Sequence, residues 1–530
     1  MKKMKKLLAL IMAMVMVLGM GLTASAAAGD DWTISISGTG IEASAIDNNE
    51  ADELTIKYGQ IVKEDRESTI GWQFVNAIET DFVNGWNGVN NTAYTAEQIL
   101  NLMIAAGTLE GETVDDELIQ EDNYFVENGM INSTDYNACL NAALASVDTT
   151  NMSEMESDLY VNVETTGIGL YIIEAQRPGY AYLPMAAYMN TDHEGVAVVA
   201  KGSDIQLSKT VGDGGESIAP GDMVTYKITQ QYLYIAPGAK EKTFTITDTI
   251  TNGTLVSNSV KVYYKDSASS NDRTEMASNN YNISYTPTSV DPDAVYTGFV
   301  INFGGNYYDQ ALAGKTVEIE YNVTVGSVTD ESMLTNNAVS STGSGTIVTT
   351  KPVSVTITKV DADNRSTKLP GAKFQIYKET SIGTVGAVEL KIAGVEEDDV
   401  QIVYGLPVGD PGTTDGEGKV TFNNLDAQGT YYVKEIEAPE GYSLNDMAVK
   451  LTGANVQENP KTTDQKNGID YSYVTYTYTN FNGITITDTQ LSSLPSTGGI
   501  GTTIFTIGGC VIMIAAAALY FVNRRKSEEN

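Results

Sequence analysis

Short runs of alternating apolar and polar residues recur along most of the chain, and this period of two restricts the possible folds more than any other feature. Val224-Thr225-Tyr226-Lys227-Ile228, Phe244-Thr245-Ile246-Thr247, Val317-Glu318-Ile319-Glu320-Tyr321-Asn322-Val323 and Val353-Ser354-Val355-Thr356-Ile357 each put one set of side chains on one face of a strand. Gly, Asn and Asp punctuate the runs, so an all-β chain of tandem antiparallel sandwiches is expected. Helical patterning is confined to the first third, at about Thr95 to Ala106, with Thr92 and Thr95 as candidate caps, and at Asp135 to Ser146. Polar stretches near Gly202 and at Thr349-Thr350-Lys351-Pro352 divide the chain into modules at 29–202, 203–350 and 351–487.

The two ends carry signals of another kind. Lys2, Lys3, Lys5 and Lys6 precede an apolar run from Leu7 to Leu22, and Ala24-Ser25-Ala26 completes a secretory signal peptide over residues 1–26. Ile500 to Val522 is free of charge and long enough to cross a hydrocarbon core of ~30 Å as a single transmembrane helix. Asn523-Arg524-Arg525-Lys526 follows, which keeps that end cytoplasmic and turns everything upstream outward. Leu494-Pro495-Ser496-Thr497-Gly498 stands just ahead of the apolar run, after a polar stalk read from Asp488 to Ser493. Pentapeptide, apolar helix and basic tail in this order resemble a sortase sorting signal. The resemblance implies that a sortase cleaves after Thr497, passes its acyl group to an amine, and leaves a product anchored to the peptidoglycan of a Gram-positive surface.

Charge and cysteine content narrow the function classes. The formal net charge is −36, from 68 acidic and 32 basic residues. Nucleic acid is excluded as a partner, because its binding needs clustered Lys and Arg. Cys139 and Cys510 are the two cysteines, and Cys510 lies in the apolar run, so the exported modules are expected to hold no internal disulfide. His193 is the sole histidine, which argues against a His-based triad or a His-rich metal site. No nucleophile elbow, zinc motif or phosphate loop is present, so neither enzymatic turnover, a cofactor nor a metal is expected.

Two segments share a pattern. Tyr171 to Tyr180 and Tyr432 to Tyr442 each place a Tyr three residues before, and a Pro four residues after, a glutamate, Glu174 or Glu435. The fuller version, Tyr431-Tyr432-Val433-Lys434-Glu435-Ile436-Glu437-Ala438-Pro439-Glu440-Gly441-Tyr442, resembles the E-box of pilin and collagen-adhesin B-type domains, with Val433 and Ile436 where Leu and Thr are usual. Val355 to Asp361, followed by Leu369-Pro370-Gly371-Ala372-Lys373-Phe374, is similar to that family's first strand and turn, and Tyr476-Thr477-Tyr478-Thr479-Asn480 to its last strand. The resemblance implies Ig-like, collagen-adhesin B-type sandwiches and an isopeptide bond between Lys359 and Asn480, promoted by Glu435. The chemistry is sound for those residue types. Burial strips the amine of its proton and keeps the acid protonated. The neutral amine is then a nucleophile, and the acid shuttles protons to the departing ammonia.

The middle module resembles that of fimbrial shaft proteins. Ile205 to Val211 is similar to the first strand, Phe244-Thr245-Ile246-Thr247-Asp248-Thr249 to the segment that carries the acid, and Asn336-Asn337-Ala338-Val339-Ser340 to the strand that supplies the amide. The resemblance assigns Lys209, Asp248 and either Asn336 or Asn337, the family's N-x-A spacing favouring Asn336. Glu174 is a third candidate acid, with Lys57 as its candidate amine. Lys201, in Gly195-Val196-Ala197-Val198-Val199-Ala200-Lys201-Gly202, stands eight residues before Lys209, where shaft pilins carry the acceptor lysine of a YPK-type motif, with Val199-Ala200 replacing Tyr-Pro. The function implied is a structural subunit of a sortase-assembled pilus, Thr497 of one copy being joined to Lys201 of the next. The alternative is a monomeric or basal wall-anchored adhesin whose first module binds a host or matrix ligand. Expected partners are sortase, further copies of the chain, other pilins and peptidoglycan.

Overall fold

The computed structural model describes residues 33–491, apart from 44–45, 47–53, 90–91, 112–125, 128–129, 132, 156–158, 163–166, 191–194, 213, 236–238, 240–241, 289–293 and 394–399, together with a helix at 501–527. The expected signal peptide at 1–26, His193 and the pentapeptide Leu494 to Gly498 lie outside the described residues. The chain divides into two compact units. One runs to Val353 and takes in Asn424–Ala427 and Val456–Tyr478; the other holds Ser354–Asn423, Gln428–Asn455 and the residues from Thr479 onward.

In the first unit, β1 (Thr33–Gly38) pairs in parallel with a later strand, while β2 (Thr55–Glu64) pairs antiparallel with β3 (Gly169–Gln176). Three helices among the described residues pack on this sheet: α1 (Glu79–Gly88), α2 (Ala96–Ala105) and α3 (Ser133–Ser146). Phe82, Trp86, Leu102, Met103 and Leu140 share a core with Val62, Leu170 and Ile172 of the strands. The α2 start is a capping box, Thr95 Oγ1 accepting from the Gln98 amide at 3.2 Å while Gln98 Oε1 accepts from the Thr95 amide at 2.9 Å. Gly107, at φ 72°, ends it in the left-handed region. The strand that pairs with β1 is β4 (Gly195–Ala200), which leads directly to Lys201.

The middle of the chain forms two packed sheets. In one, β5 (Ser208–Val211) pairs with β6 (Met223–Gln231). The other includes β7 (Thr245–Thr251), beside β8 (Gly298–Asn302). The first sheet continues through β9 (Thr316–Val325), antiparallel to β6, and the second through β10 (Leu334–Ser340) and β11 (Ser344–Thr350). The period of two read from the sequence decides what lies between them: Tyr226, Ile228, Ile319, Tyr321 and Val323 meet Phe244, Ile246, Phe299 and Ile301 in one core.

In the second unit, β12 (Val353–Asp361) enters one sheet, and β13 (Lys373–Thr380) the other. The first sheet has the order β14 (Lys419–Leu425), β12 and a final strand; the second holds β15 (Tyr431–Glu437) beside β13. That final strand is β16 (Ile484–Asp488), parallel to β12 with Asp361 opposite Asp488. Two expectations are corrected here. The last strand is not Tyr476–Thr479, and Asp488 is not the start of a stalk: it ends a strand and is 3% exposed. A hairpin within the expected third module, Thr462–Lys466 and Ile469–Val474, belongs instead to the first unit, where its second strand pairs in parallel with β11.

Helix α4 (Gly501–Ser527) coincides with most of the apolar run and the basic tail. Its side chains are described from Thr506 to Tyr520, and all are exposed. Among the described residues no helix is long and apolar enough to cross a membrane.

Candidate cross-linking sites

Both sandwiches bury a lysine. Such burial is rare without a partner, because the ammonium gives up its hydration. Lys209 lies on β5 and is fully buried. Its Nζ is 2.5 Å from Asp248 Oδ2 on β7, in hydrogen-bond contact with Asn336 Oδ1 on β10, and over the rings of Tyr226 and Tyr321 at 5.2 and 5.6 Å. Strand geometry explains the convergence. Asp248 pairs with Ala338 and Ile250 with Asn336, so the acid and the amide are diagonal neighbours on the same inward face, opposite Lys209. Asn337 points to the other face and is half-buried, so Asn336 is the residue brought to the lysine.

Burial, the largest influence, lowers the Lys209 amine to a pKa of about 8 against the opposing pull of Asp248. Burial also raises the Asp248 carboxyl, outweighing Lys209. Both shifts favour the neutral pair, amine with carboxylic acid, over the ion pair. Asp248 Oδ1 has no hydrogen-bond partner among the described residues, which further favours the protonated acid.

Lys359 on β12 is the second fully buried lysine. Its Nζ is 3.0 Å from Glu435 Oε2 on β15 and 2.5 Å from Asp488 Oδ1 at the end of β16, with the Phe374 ring 5.6 Å away. Glu435 also accepts from the Asn445 amide at 3.1 Å, and burial raises it to about 7, against the influence of Lys359. The expected partner, Asn480, is elsewhere. It is exposed, and its Oδ1 accepts from the Ser354 amide at 3.0 Å. Ser354 is five positions from Lys359 on the same strand, a rise of about 16 Å. The carboxyl group beside Lys359 is thus Asp488, which sequence reasoning missed. The signal was present as the period-two run Ile484-Thr485-Ile486-Thr487-Asp488.

No comparable triad forms around Glu174 among the described residues. Lys57 is opposite it in the β2/β3 register, but the Lys57 ion pair, at 3.9 Å, is with Glu154, and Glu174 accepts from the Thr149 hydroxyl.

Lys201 follows β4 and is half-buried, and burial lowers its amine below the ordinary lysine value. It lines a cavity of about 630 Å³ together with Tyr182, Leu183, Val199, Tyr232 and Leu233.

Residues 353–467 match the model of the SpaA prealbumin-like fold domain, and residues 486–529 that of the LPXTG cell wall anchor motif. The chain is a surface protein anchored to the cell wall, with a prealbumin-like domain next to its anchor. A curated relative is the trypsin-resistant surface T6 protein of Streptococcus pyogenes serotype M6, 31% identical over 153 residues, or 19% of this chain. The match spans 28% of that relative's length. Among solved structures, the T6 backbone pilin of serotype M6 Streptococcus pyogenes aligns over 88% of this chain and 100% of its own, at 16% identity and a TM-score of 0.46. The major pilin SpaA of Corynebacterium diphtheriae aligns over 86% and 99%, at 12% identity and 0.43. The group B streptococcus pilus 2b backbone protein aligns over 54% and 99%, at 22% identity and 0.35.

Proposed function

We propose that this protein is the shaft subunit of a sortase-assembled pilus, polymerised by joining Thr497 of one copy to Lys201 of the next and hardened by two internal amide bonds, Lys209–Asn336 and Lys359–Asp488. The observation that carries the reading is the pair of buried lysines, each touching an acid and a second carboxyl or carboxamide group on other strands. An isolated buried charge pair is a weak stabiliser at best. Two of them, each placed for nucleophilic attack, fit a covalent product better than a permanent ion pair.

The two sites differ in leaving group. At Lys209 the amine attacks the Asn336 carboxamide and ammonia departs, Asp248 passing protons. At Lys359 it attacks the Asp488 carboxyl and water departs, with Glu435 in that role. In bulk water an amine and a carboxylic acid rest as an ion pair. Burial disfavours both charges and so opens the route to the amide.

Lys201 suits the acceptor role because its amine is partly desolvated and opens on a cavity with apolar walls. Leu494 and Pro495 of an incoming copy would supply apolar groups to such walls. A wall-anchored, protease-resistant polymer also accords with the relative's name, a trypsin-resistant surface protein.

The test has two parts. A denaturing gel of wall extracts should show a high-mass ladder that Lys201→Ala abolishes; a single band from the parent chain would favour the monomeric adhesin instead. The intact mass of the parent should fall short of its formula by about 35 Da, one ammonia plus one water, and Asp488→Ala should restore about 18 Da of it. An unshifted mass would sink both internal bonds.

A further inference from the structure

The Lys209 site contains a group that neither the acid nor the nucleophile accounts for. The Tyr321 hydroxyl, on β9, is fully buried between the acid and the amide. It donates to Asp248 Oδ2 at 2.7 Å and accepts from Asn336 Nδ2 at 3.0 Å. Asn336 is thereby held with its oxygen on Lys209 and its nitrogen on the phenol. The ring is fixed by Phe299, edge-on at 4.9 Å, and by Tyr226, stacked at 5.9 Å, so the hydroxyl has little freedom to turn elsewhere.

We infer that Tyr321 is the proton relay for the departing nitrogen, carrying a proton from Asp248 to Asn336 Nδ2. This rests on the Lys209–Asn336 bond proposed above. Amide nitrogen leaves poorly until it is protonated, and Asp248 reaches that nitrogen only through the phenol. The steps balance. The neutral Lys209 amine adds to Asn336 Cγ, the carbonyl oxygen takes the Asp248 proton, and the added nitrogen returns a proton to Asp248. Tyr321 then gives its proton to Nδ2 and regains one from Asp248. As the C–N bond breaks and the carbonyl re-forms, its hydroxyl proton goes to Asp248. One ammonia leaves, and Asp248 and Tyr321 end as they began. Burial and the neighbouring Asp248 hold the phenol well above its ordinary pKa, so it stays protonated between transfers.

The Lys359 site supplies the contrast. Its leaving group is a carboxyl oxygen, and no tyrosine hydroxyl among the described residues hydrogen-bonds to Asp488 or Glu435. The nearby Tyr442 hydroxyl turns instead to Asp361, at 2.9 Å. A phenol stands at the site where nitrogen must leave and not at the site where oxygen leaves.

A double-mutant cycle separates relay from packing. The full chain and its Tyr321→Phe, Asn336→Asp and doubly substituted versions are made by cell-free synthesis and sampled over time. The peptide joining positions 209 and 336 is quantified after denaturation and digestion. Asn336→Asp yields the same amide but expels water, so it bypasses the relay. The expected result is that Tyr321→Phe slows linking of the parent at least about a hundredfold, the lower end of the range of general acid catalysis, and leaves the Asn336→Asp chain within about twofold. Equal slowing in both backgrounds, whether from a damaged fold or a lost positioning contact, overturns the relay, as does no slowing in either or an Asn336→Asp chain that does not link. A parent chain that never links removes the underlying bond instead, a distinct outcome.

Discussion

Glu435 shows how one buried carboxyl sets the behaviour of its site. Burial, with a small contribution from Asp488, outweighs the Lys359 amine and the Asn445 backbone amide and lifts its pKa from 4.5 to about 7. A group raised in the folded state adds stability that is fully present below about 4.5 and is lost as the pH climbs through about 7. Asp488→Ala blocks the bond while removing only the smallest influence on Glu435. That variant should melt at a lower temperature at pH 8 than at pH 5, by an amount equivalent to at most about 3 kcal/mol. Adding Glu435→Gln should flatten the profile, and calorimetry showing the same pH dependence in both variants would discard the assignment. The residue scale is also where sequence and structure diverge most. Lys209, Asp248, Lys359 and Glu435 were legible only through the motifs that resemble pilin and collagen-adhesin domains, because a lone charge in a strand pattern reads equally well as a solvated one. Asn480 was favoured because an amide was sought after a Tyr-Thr-Tyr strand. Asp488 went unseen because one carboxylate in a chain with 68 acidic residues carries little signal.

Among the elements, α2 and the strands of the middle sandwich were readable because each carries its own instruction, a capping box or a period of two. Helix α1 was not. Ile78, at its N-cap, makes no side-chain cap hydrogen bond, and the helix is secured by burying Phe82 and Trp86 against other elements. The 462–474 hairpin illustrates a different limit. Its turn was available, since Asn467-Gly468 adopts positive φ at both positions, as two-residue hairpin turns prefer. Its docking was not, because Ser344 pairs with Asp470 across a long stretch of sequence. This hairpin covers the open side of β11, whose other side is held by β10. Replacing 459–475 by a short Gly-Ser linker should raise hydrogen exchange of the β11 amides at least about tenfold while β7 and β10 stay protected. Unchanged exchange in β11 would show that the hairpin adds nothing to its hold.

For the molecule as a whole, the two proposed bonds determine which residues feel a pull between Lys201 and Thr497. Tension entering at Lys201 would reach Lys209, cross to Asn336, follow β11 to Lys359, and cross again to Asp488. The 127 positions separating Lys209 from Asn336, and the 129 separating Lys359 from Asp488, are bypassed. Only β11 and its flanks stay in the loaded path between the two bonds, and the hairpin pairs with that strand. In single-molecule stretching, Lys209→Ala should therefore release about 430 Å of extra contour length, 127 residues at about 3.4 Å each, in an event that the parent lacks. Equal extensions for the two would rule out a load-bearing bond. The position of Asp488 has a consequence for timing as well. It lies six residues ahead of Leu494, in the final strand of the fold. A chain already closed into rings would not thread a secretion channel, so export has to precede closure. The second ring needs a residue that emerges almost last, just ahead of the anchor. On the proposed bonds, covalent maturation would record secretion: a subunit whose second ring is shut would have been exported at least as far as Asp488.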